Sequence, residues 1–187
     1  QMCIRDRARG AWGLGWEVWL NGMEMTQITY FQAIGSQTLE VICGEITYGI
    51  ERIAMYLQGK NSIFDIMWNE QLTYGDIVRE AEKEWSYYNF QEANIDMWLN
   101  HFEDFHNEAK LLIEKKLPIP AYDFVIKSSH AFNILDARGC ISVTERTRYI
   151  TNIRNLAKLV AESYIEKRKS LNYPLLNSSK QENKNII

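Results

Sequence analysis

At 187 residues, with 46% apolar, 12% aromatic and 24% charged residues, the chain can bury one or two cores and is too hydrophobic for a disordered segment. A net charge of −3 with no long basic run argues against this chain alone gripping a nucleic-acid backbone, which takes clustered Lys and Arg. Cys3, Cys43 and Cys140 are too widely spaced for a disulfide framework or zinc signature, and no apolar run approaches the roughly 20 residues that span a membrane, so a soluble cytoplasmic protein without a signal peptide is expected.

Residues 1–10 fit none of the patterns that follow and read as a leader foreign to the rest. From residue 11 the chain turns apolar and aromatic. Residues 17–20 and 23–31 read as strands flanking Asn21-Gly22, a tight-hairpin signal because both residues accept positive φ. Regular alternation in the second strand puts Glu24, Thr26, Ile28 and Tyr30 on one face, and Met25, Gln27, Thr29 and Phe31 on the other. Residues 35–38 read as a loop before the strand Thr38-Leu39-Glu40-Val41-Ile42.

That strand runs into Gly44-Glu45-Ile46-Thr47-Tyr48-Gly49-Ile50-Glu51-Arg52, where small residues recur as strand becomes helix. Glycines there let a flat ligand lie against the backbone, and Arg52 offers a fixed fork of donors to a phosphate. A buried strand-to-helix turn with two ordinary surface charges fits the same spacing. The helix beginning after Tyr48 is expected to end near Gln58-Gly59.

From about residue 62 the pattern is helical. Ile95, Trp98, Leu99, Phe102, Phe105, Ala109, Leu112 and Ile113 follow the spacing of an amphipathic helix, which Pro118 and Pro120 stop. A shorter helix is expected over 121–132. Ser142-Val143-Thr144-Glu145 fits a capping box, opening a long helix with Tyr149, Ile153, Leu156, Val160 and Tyr164 on one stripe. The predicted organisation is a core remnant over 11–61, a helical domain over 62–170 and a flexible polar tail over 171–187.

Several long runs carry a family likeness. Ala11-Trp12-Gly13-Leu14-Gly15-Trp16-Glu17-Val18-Trp19-Leu20-Asn21-Gly22-Met23-Glu24-Met25-Thr26-Gln27 resembles the alpha subunit of the bacterial heterotetrameric glycyl-tRNA synthetase. So do Phe132-Asn133-Ile134-Leu135-Asp136-Ala137-Arg138-Gly139 and Ile141-Ser142-Val143-Thr144-Glu145-Arg146. The glycine, hydrophobic, Glu-Arg ending at Arg52 resembles motif 3 of class II aminoacyl-tRNA synthetases. The resemblance spans about residues 11–168, and family members carry motifs 1 and 2 upstream.

The resemblance implies an α+β chain: part of a class II antiparallel sheet with the motif 3 strand and helix, then an α-helical domain. It implies ATP-dependent activation of glycine to glycyl-adenylate and transfer to tRNA(Gly). Two alpha and two beta chains would assemble, beta supplying most tRNA recognition. The expected reading is an amino-terminally truncated fragment, inactive alone because motif 2 is missing. An alanine-type synthetase fragment shares the Glu-Arg ending. A non-catalytic interaction module retaining the fold is the alternative from another class.

The chemistry needs positioning and charge stabilisation as the glycine carboxylate attacks the α-phosphate of ATP. Arg52 matches the motif 3 arginine and is assigned to phosphate and adenine-face binding, with a salt bridge to a nearby carboxylate as its structural alternative. Gly49 keeps the backbone low beneath the adenine. Glu51 either orients the arginine or touches the nucleotide. Glu45, seven residues before Arg52, is assigned to the glycine ammonium, as the related alanine-type enzymes carry an acid at that offset; a solvated strand carboxylate is the alternative. Glu24 is a candidate ligand for Mg2+, which favours oxygen and bridges ATP phosphates. Thr26, Gln27 and Thr47 are candidate pocket residues, although Glu24 and Gln27 need a bulge to line one pocket. His101, His106 and His130 make no site. Asp136, Arg138, Thr144, Glu145 and Arg146 read as a structural polar network.

Overall fold

A computed structural model describes residues 2–6 and 11–176. Asn21 and Gly22 both take left-handed φ values, 51° and 80°, so β2 (Ala11–Leu20) folds directly back on β3 (Met23–Ile34). Gly35 and Ser36 repeat the device at φ 57° and 59°, joining β3 to β4 (Gln37–Tyr48). The loop expected over 35–38 is therefore a two-residue hairpin, since two consecutive left-handed residues match the twist of the flanking strands. Gly35 has a second constraint: a Cβ there would lie 2.7 Å from the Ala161 Cβ.

A strand not expected from the sequence, β1 (Met2–Asp6), pairs antiparallel with β2, giving the sheet order β1-β2-β3-β4. Residues 7–10 of the expected leader and 177–187 of the expected tail lie outside the described residues.

Two bulges decide which side chains share a face. Val18 pairs with Thr26 but Trp19 with Glu24, leaving Met25 as an extra residue; farther along, Gln32 is extra between Phe31 and Ala33. Each extra residue breaks the alternation by one position. Glu24 and Gln27 consequently share a face, with Glu45 and Thr47 of β4 paired into the same face opposite Thr29 and Gln27. Thr26 falls on the opposite face with Val18 and Trp16. The expectation that Glu24 and Thr26 share a face fails because regular alternation does not survive the Met25 bulge.

Helix α1 (Ile50–Leu57) follows β4 and closes at Gly59, φ 62°, as expected. After a short 3-10 turn, α2 (Tyr74–Tyr87) opens on a Thr73–Asp76 capping box and runs into a π-helical turn, Tyr88–Glu92. Arg138 clamps that turn, donating to the carbonyls of Phe90 (2.9 Å) and Ala93 (3.2 Å). Helix α3 (Ile95–Glu114) ends as expected, and Lys116 at φ 58° reverses the chain.

Helix α4 spans Pro118–Ala137, longer at both ends than the expected 121–132. Pro118 starts this helix instead of only ending the previous one, because the first turn needs no N–H. Helix α5 (Val143–Ser170) opens on the expected capping box, with Ser142 Oγ accepting from the Glu145 N–H. Arg146 pairs with Asp136 at 3.1 Å, so the polar residues at this junction tie α4 to α5.

Phe102, Val125, Leu135, Ile153 and Leu156 are fully buried where α3, α4 and α5 meet. Tyr149 and Val160 join this core, but Tyr164, one turn beyond, is 46% exposed and departs from the expected stripe. No described helix is long and apolar enough to cross a membrane.

His106 is buried against Phe102, ring centroids 6.0 Å apart, and its Nδ1 has no hydrogen-bond partner. Burial, with Lys110 adding to it and Glu103 opposing, pushes its pKa below the usual 6.5. The unfolded chain therefore takes up a proton before the folded one, and stability is lost as pH falls below about 6.5. The thermal midpoint is expected to drop between about pH 7.5 and about pH 5.5, and His106→Leu to flatten that drop. Equal slopes in the two proteins would refute the assignment.

Candidate functional site

The site assembles where β4 becomes α1. Gly49 caps α1, and its N–H donates to the Met25 carbonyl at 2.8 Å, so the bulged residue anchors the helix entry. A side chain at Gly49 has little room: its Cβ would sit 3.2 Å from Arg52 Cδ and 3.3 Å from the Met25 oxygen. The glycine thus lets Arg52 fold back over the sheet.

Arg52 Nη1 donates to the Glu24 carbonyl at 2.8 Å and lies 3.3 Å from Glu24 Oε2. Its side chain is 47% exposed, so part of the guanidinium fork remains available to a ligand. The salt bridge considered as the alternative for Arg52 is present, and it holds the arginine at the edge of the face that carries Gln27, Thr47 and Glu45. Glu51 accepts a 3.4 Å hydrogen bond from Tyr74 Oη, which ties α1 to α2.

Glu45 is exposed and accepts from Thr47 Oγ1 at 3.1 Å, a contact between neighbours on one face of β4 that fixes the carboxylate's direction. Glu45 also borders a cavity of about 550 Å³ between the sheet and helices α4 and α5. Thr26, on the far face, donates to the Thr47 carbonyl at 2.7 Å and so braces β3 to β4 from behind. Glu17 shares the site face and accepts from Trp19 Nε1 at 2.9 Å.

No three His, Cys, Asp or Glu side chains converge as a metal cage among the described residues. A magnesium ion carried on nucleotide phosphates needs only one or two protein carboxylates. Glu24 fits that lesser role, on the site face beside the arginine. What the sequence reading missed is backbone: the carbonyls of Glu24 and Met25, which receive Arg52 and Gly49. Nothing in residue type marks the bulge that exposes them.

Residues 5–169 match the family model described as glycyl-tRNA synthetase alpha subunit, a match that begins inside the segment 1–10. A Chlamydia muridarum protein named glycine–tRNA ligase is 70% identical over 167 residues, 89% of this chain and 17% of that relative. The same-named protein of Chlamydia pneumoniae is 70% identical over 170 residues, 91% of this chain and 17% of that relative. In Chlamydia trachomatis serovar D the figures are 67% over 167 residues, 89% and 17%. The chain thus spans about a sixth of the length of these curated relatives.

Proposed function

Because this chain belongs to the glycyl-tRNA synthetase alpha subunit family, we propose that it carries part of the site at which a glycine–tRNA ligase activates glycine. The reaction is attack of the glycine carboxylate on the α-phosphate of ATP, releasing pyrophosphate, followed by transfer of glycine to the terminal ribose of tRNA(Gly). The observation that carries this reading is the common face shared by Glu24, Gln27, Thr47 and Glu45, with Arg52 laid against its edge.

In this reading β4 and α1 form the motif 3 unit of a class II enzyme. Arg52 holds the nucleotide through its phosphate and the adenine face, and Gly49 keeps the approach low. The negative charge that grows on the phosphate oxygens is met by a guanidinium already fixed by Glu24, so little reorganisation is needed. Magnesium bound with ATP would neutralise phosphate charge, and Glu24 is the side chain that would hold it. Glu45, directed by Thr47, pairs with the glycine ammonium. Gln27 lines the same pocket, and Thr26 supports it from the opposite face.

Recognition of tRNA(Gly) is assigned mainly to a beta component. In an α2β2 assembly that is a separate chain; relatives in which the matched stretch is 17% of the polypeptide leave room for it on the same chain. ATP–pyrophosphate exchange by the assembled ligase, measured with each amino acid in turn, tests the proposal. Exchange with glycine alone supports it. Exchange with alanine would point to the alanine-type reading, and none with any amino acid to a non-catalytic interaction module.

Glu45→Gln keeps the size of the side chain and removes its charge. A hydrogen bond to a charged group contributes about 1.5–3 kcal/mol, so KM for glycine is expected to rise about tenfold or more. KM for ATP is expected to stay unchanged. An unaltered glycine KM would remove Glu45 from the ammonium site.

A further inference from the structure

Helix α1 carries Arg52, yet packing holds it lightly. Of its eight residues only Met55 is buried, and Ile50 and Leu57 are 71% and 78% exposed. An isolated helix of that length is marginal in water, so its direction depends on ties made at its two ends. β3 supplies one set, through Met25 to Gly49 and through Glu24 to Arg52. The other set lies where the helix stops.

Gln58, the residue that ends α1, directs its side-chain amide at the backbone of Met67. Its Nε2 donates to the Met67 carbonyl at 3.1 Å, and its Oε1 accepts from the Met67 N–H at 2.7 Å. A simple cap needs one backbone group; this amide spans both groups of a residue nine positions away. What it grips is closed on itself. Met67 bridges Thr73, the Trp68 N–H donates to the Leu72 carbonyl at 2.9 Å, and the Tyr74 N–H donates to the carbonyl of buried Ile66 at 2.7 Å. Asn69 Oδ1 secures the tip by accepting from the N–H groups of Gln71 and Leu72. The loop leads into the Thr73–Asp76 capping box of α2. Tyr74, stacked on Trp68, extends its Oη to Glu51, the residue before Arg52.

We infer that Gln58 is a positioning residue for nucleotide binding: its grip on Met67 fixes α1, and with it the Arg52 guanidinium, against the loop that opens the helical half. The inference rests on the ligase reading, because only there does Arg52 meet ATP. Gln58 itself touches no ligand. Its effect comes from leverage. Arg52 ends in a long side chain, so a small rotation of α1 about Gly49 displaces the guanidinium by more than it displaces the backbone. A misplacement of about 1 Å at a reacting centre can cost about 10²-fold in rate. With one end of α1 tied to the sheet and the other to the loop, that rotation is blocked.

Gln58→Met keeps the length of the side chain and removes both hydrogen bonds. In the assembled ligase it is expected to raise KM for ATP about tenfold in glycine-dependent pyrophosphate exchange, with KM for glycine unchanged. Gln58→Glu keeps the acceptor and loses the donor, so an intermediate rise is expected. In an Arg52→Ala background Gln58→Met should alter KM for ATP by less than about twofold, since Gln58 acts through the arginine. Equal factors in the two backgrounds, an unchanged KM for ATP, or an equal rise in KM for glycine would overturn the inference. The 187-residue chain gives a readout that needs no activity. Amide hydrogen exchange over residues 50–58 should quicken about tenfold in Gln58→Met, while the amides of α3 to α5 keep their protection. Unaltered protection of α1 overturns the inference, as does an equal loss in α3 to α5, which would make Gln58 a general structural support. An unsubstituted ligase that exchanges no pyrophosphate overturns the ligase reading, a failure told apart because Gln58→Met would still loosen α1.

Discussion

Arg52→Ala is expected to lower glycine-dependent ATP–pyrophosphate exchange by about 10²–10³-fold in the assembled ligase, the usual loss when one preorganised donor to a charged transition state is removed. The loss should fall on kcat as well as on KM for ATP, because the guanidinium meets charge that grows as the α-phosphate is attacked. Stability should hardly change: the Arg52–Glu24 pair is half exposed, and such pairs contribute about 0–1 kcal/mol. Arg52→Lys keeps the charge but cannot reproduce the two contacts at Glu24, so partial recovery is expected. Exchange reduced by less than about threefold in Arg52→Ala would mean that the arginine serves only to tie α1 to β3.

Phe102→Ala is expected to destabilise the helical half by about 3–5 kcal/mol, the range for emptying a buried aromatic site. The ring is 1% exposed and meets the Tyr149 ring edge-on at 4.5 Å, so α3 and α5 both lose their contact there. Since domains have about 5–15 kcal/mol in total, this single change removes a large fraction, and the thermal midpoint should fall on the order of 10 °C. Phe102→Leu fills most of the same volume and should recover more than half of the loss. A midpoint within about 2 °C of the unsubstituted chain in Phe102→Ala would show that the three helices do not form one cooperative core.

Capping and turn chemistry were legible in the residues because they are local. Asn21-Gly22 specifies its hairpin through two left-handed residues, and Ser142 and Glu145 specify a helix start through reciprocal hydrogen bonds. The long apolar periodicity of α3 was equally plain, as burial of one helical face writes itself into every third or fourth position. Gly35-Ser36 was harder. Serine rarely takes φ of 59°, and what holds it there is the pairing of β3 with β4 on either side.

The residue types of the candidate site, Arg52, Gly49, Glu45 and Glu24, and the strand-to-helix order that brings the first three close in the chain are legible in the residues alone. Which face each occupies depends on strand pairing. A single unpaired residue, Met25, turns Glu24 toward Gln27 and away from Thr26, since side chains alternate with period two and one extra residue reverses all that follow. Besides the Glu24 carboxylate, the groups that receive Arg52 and Gly49 are carbonyl oxygens of β3, and every residue carries a carbonyl, so side-chain identity cannot announce these two. The cavity bordered by Glu45 likewise exists because α4 and α5 lie beside the sheet, bringing together residues more than a hundred positions apart.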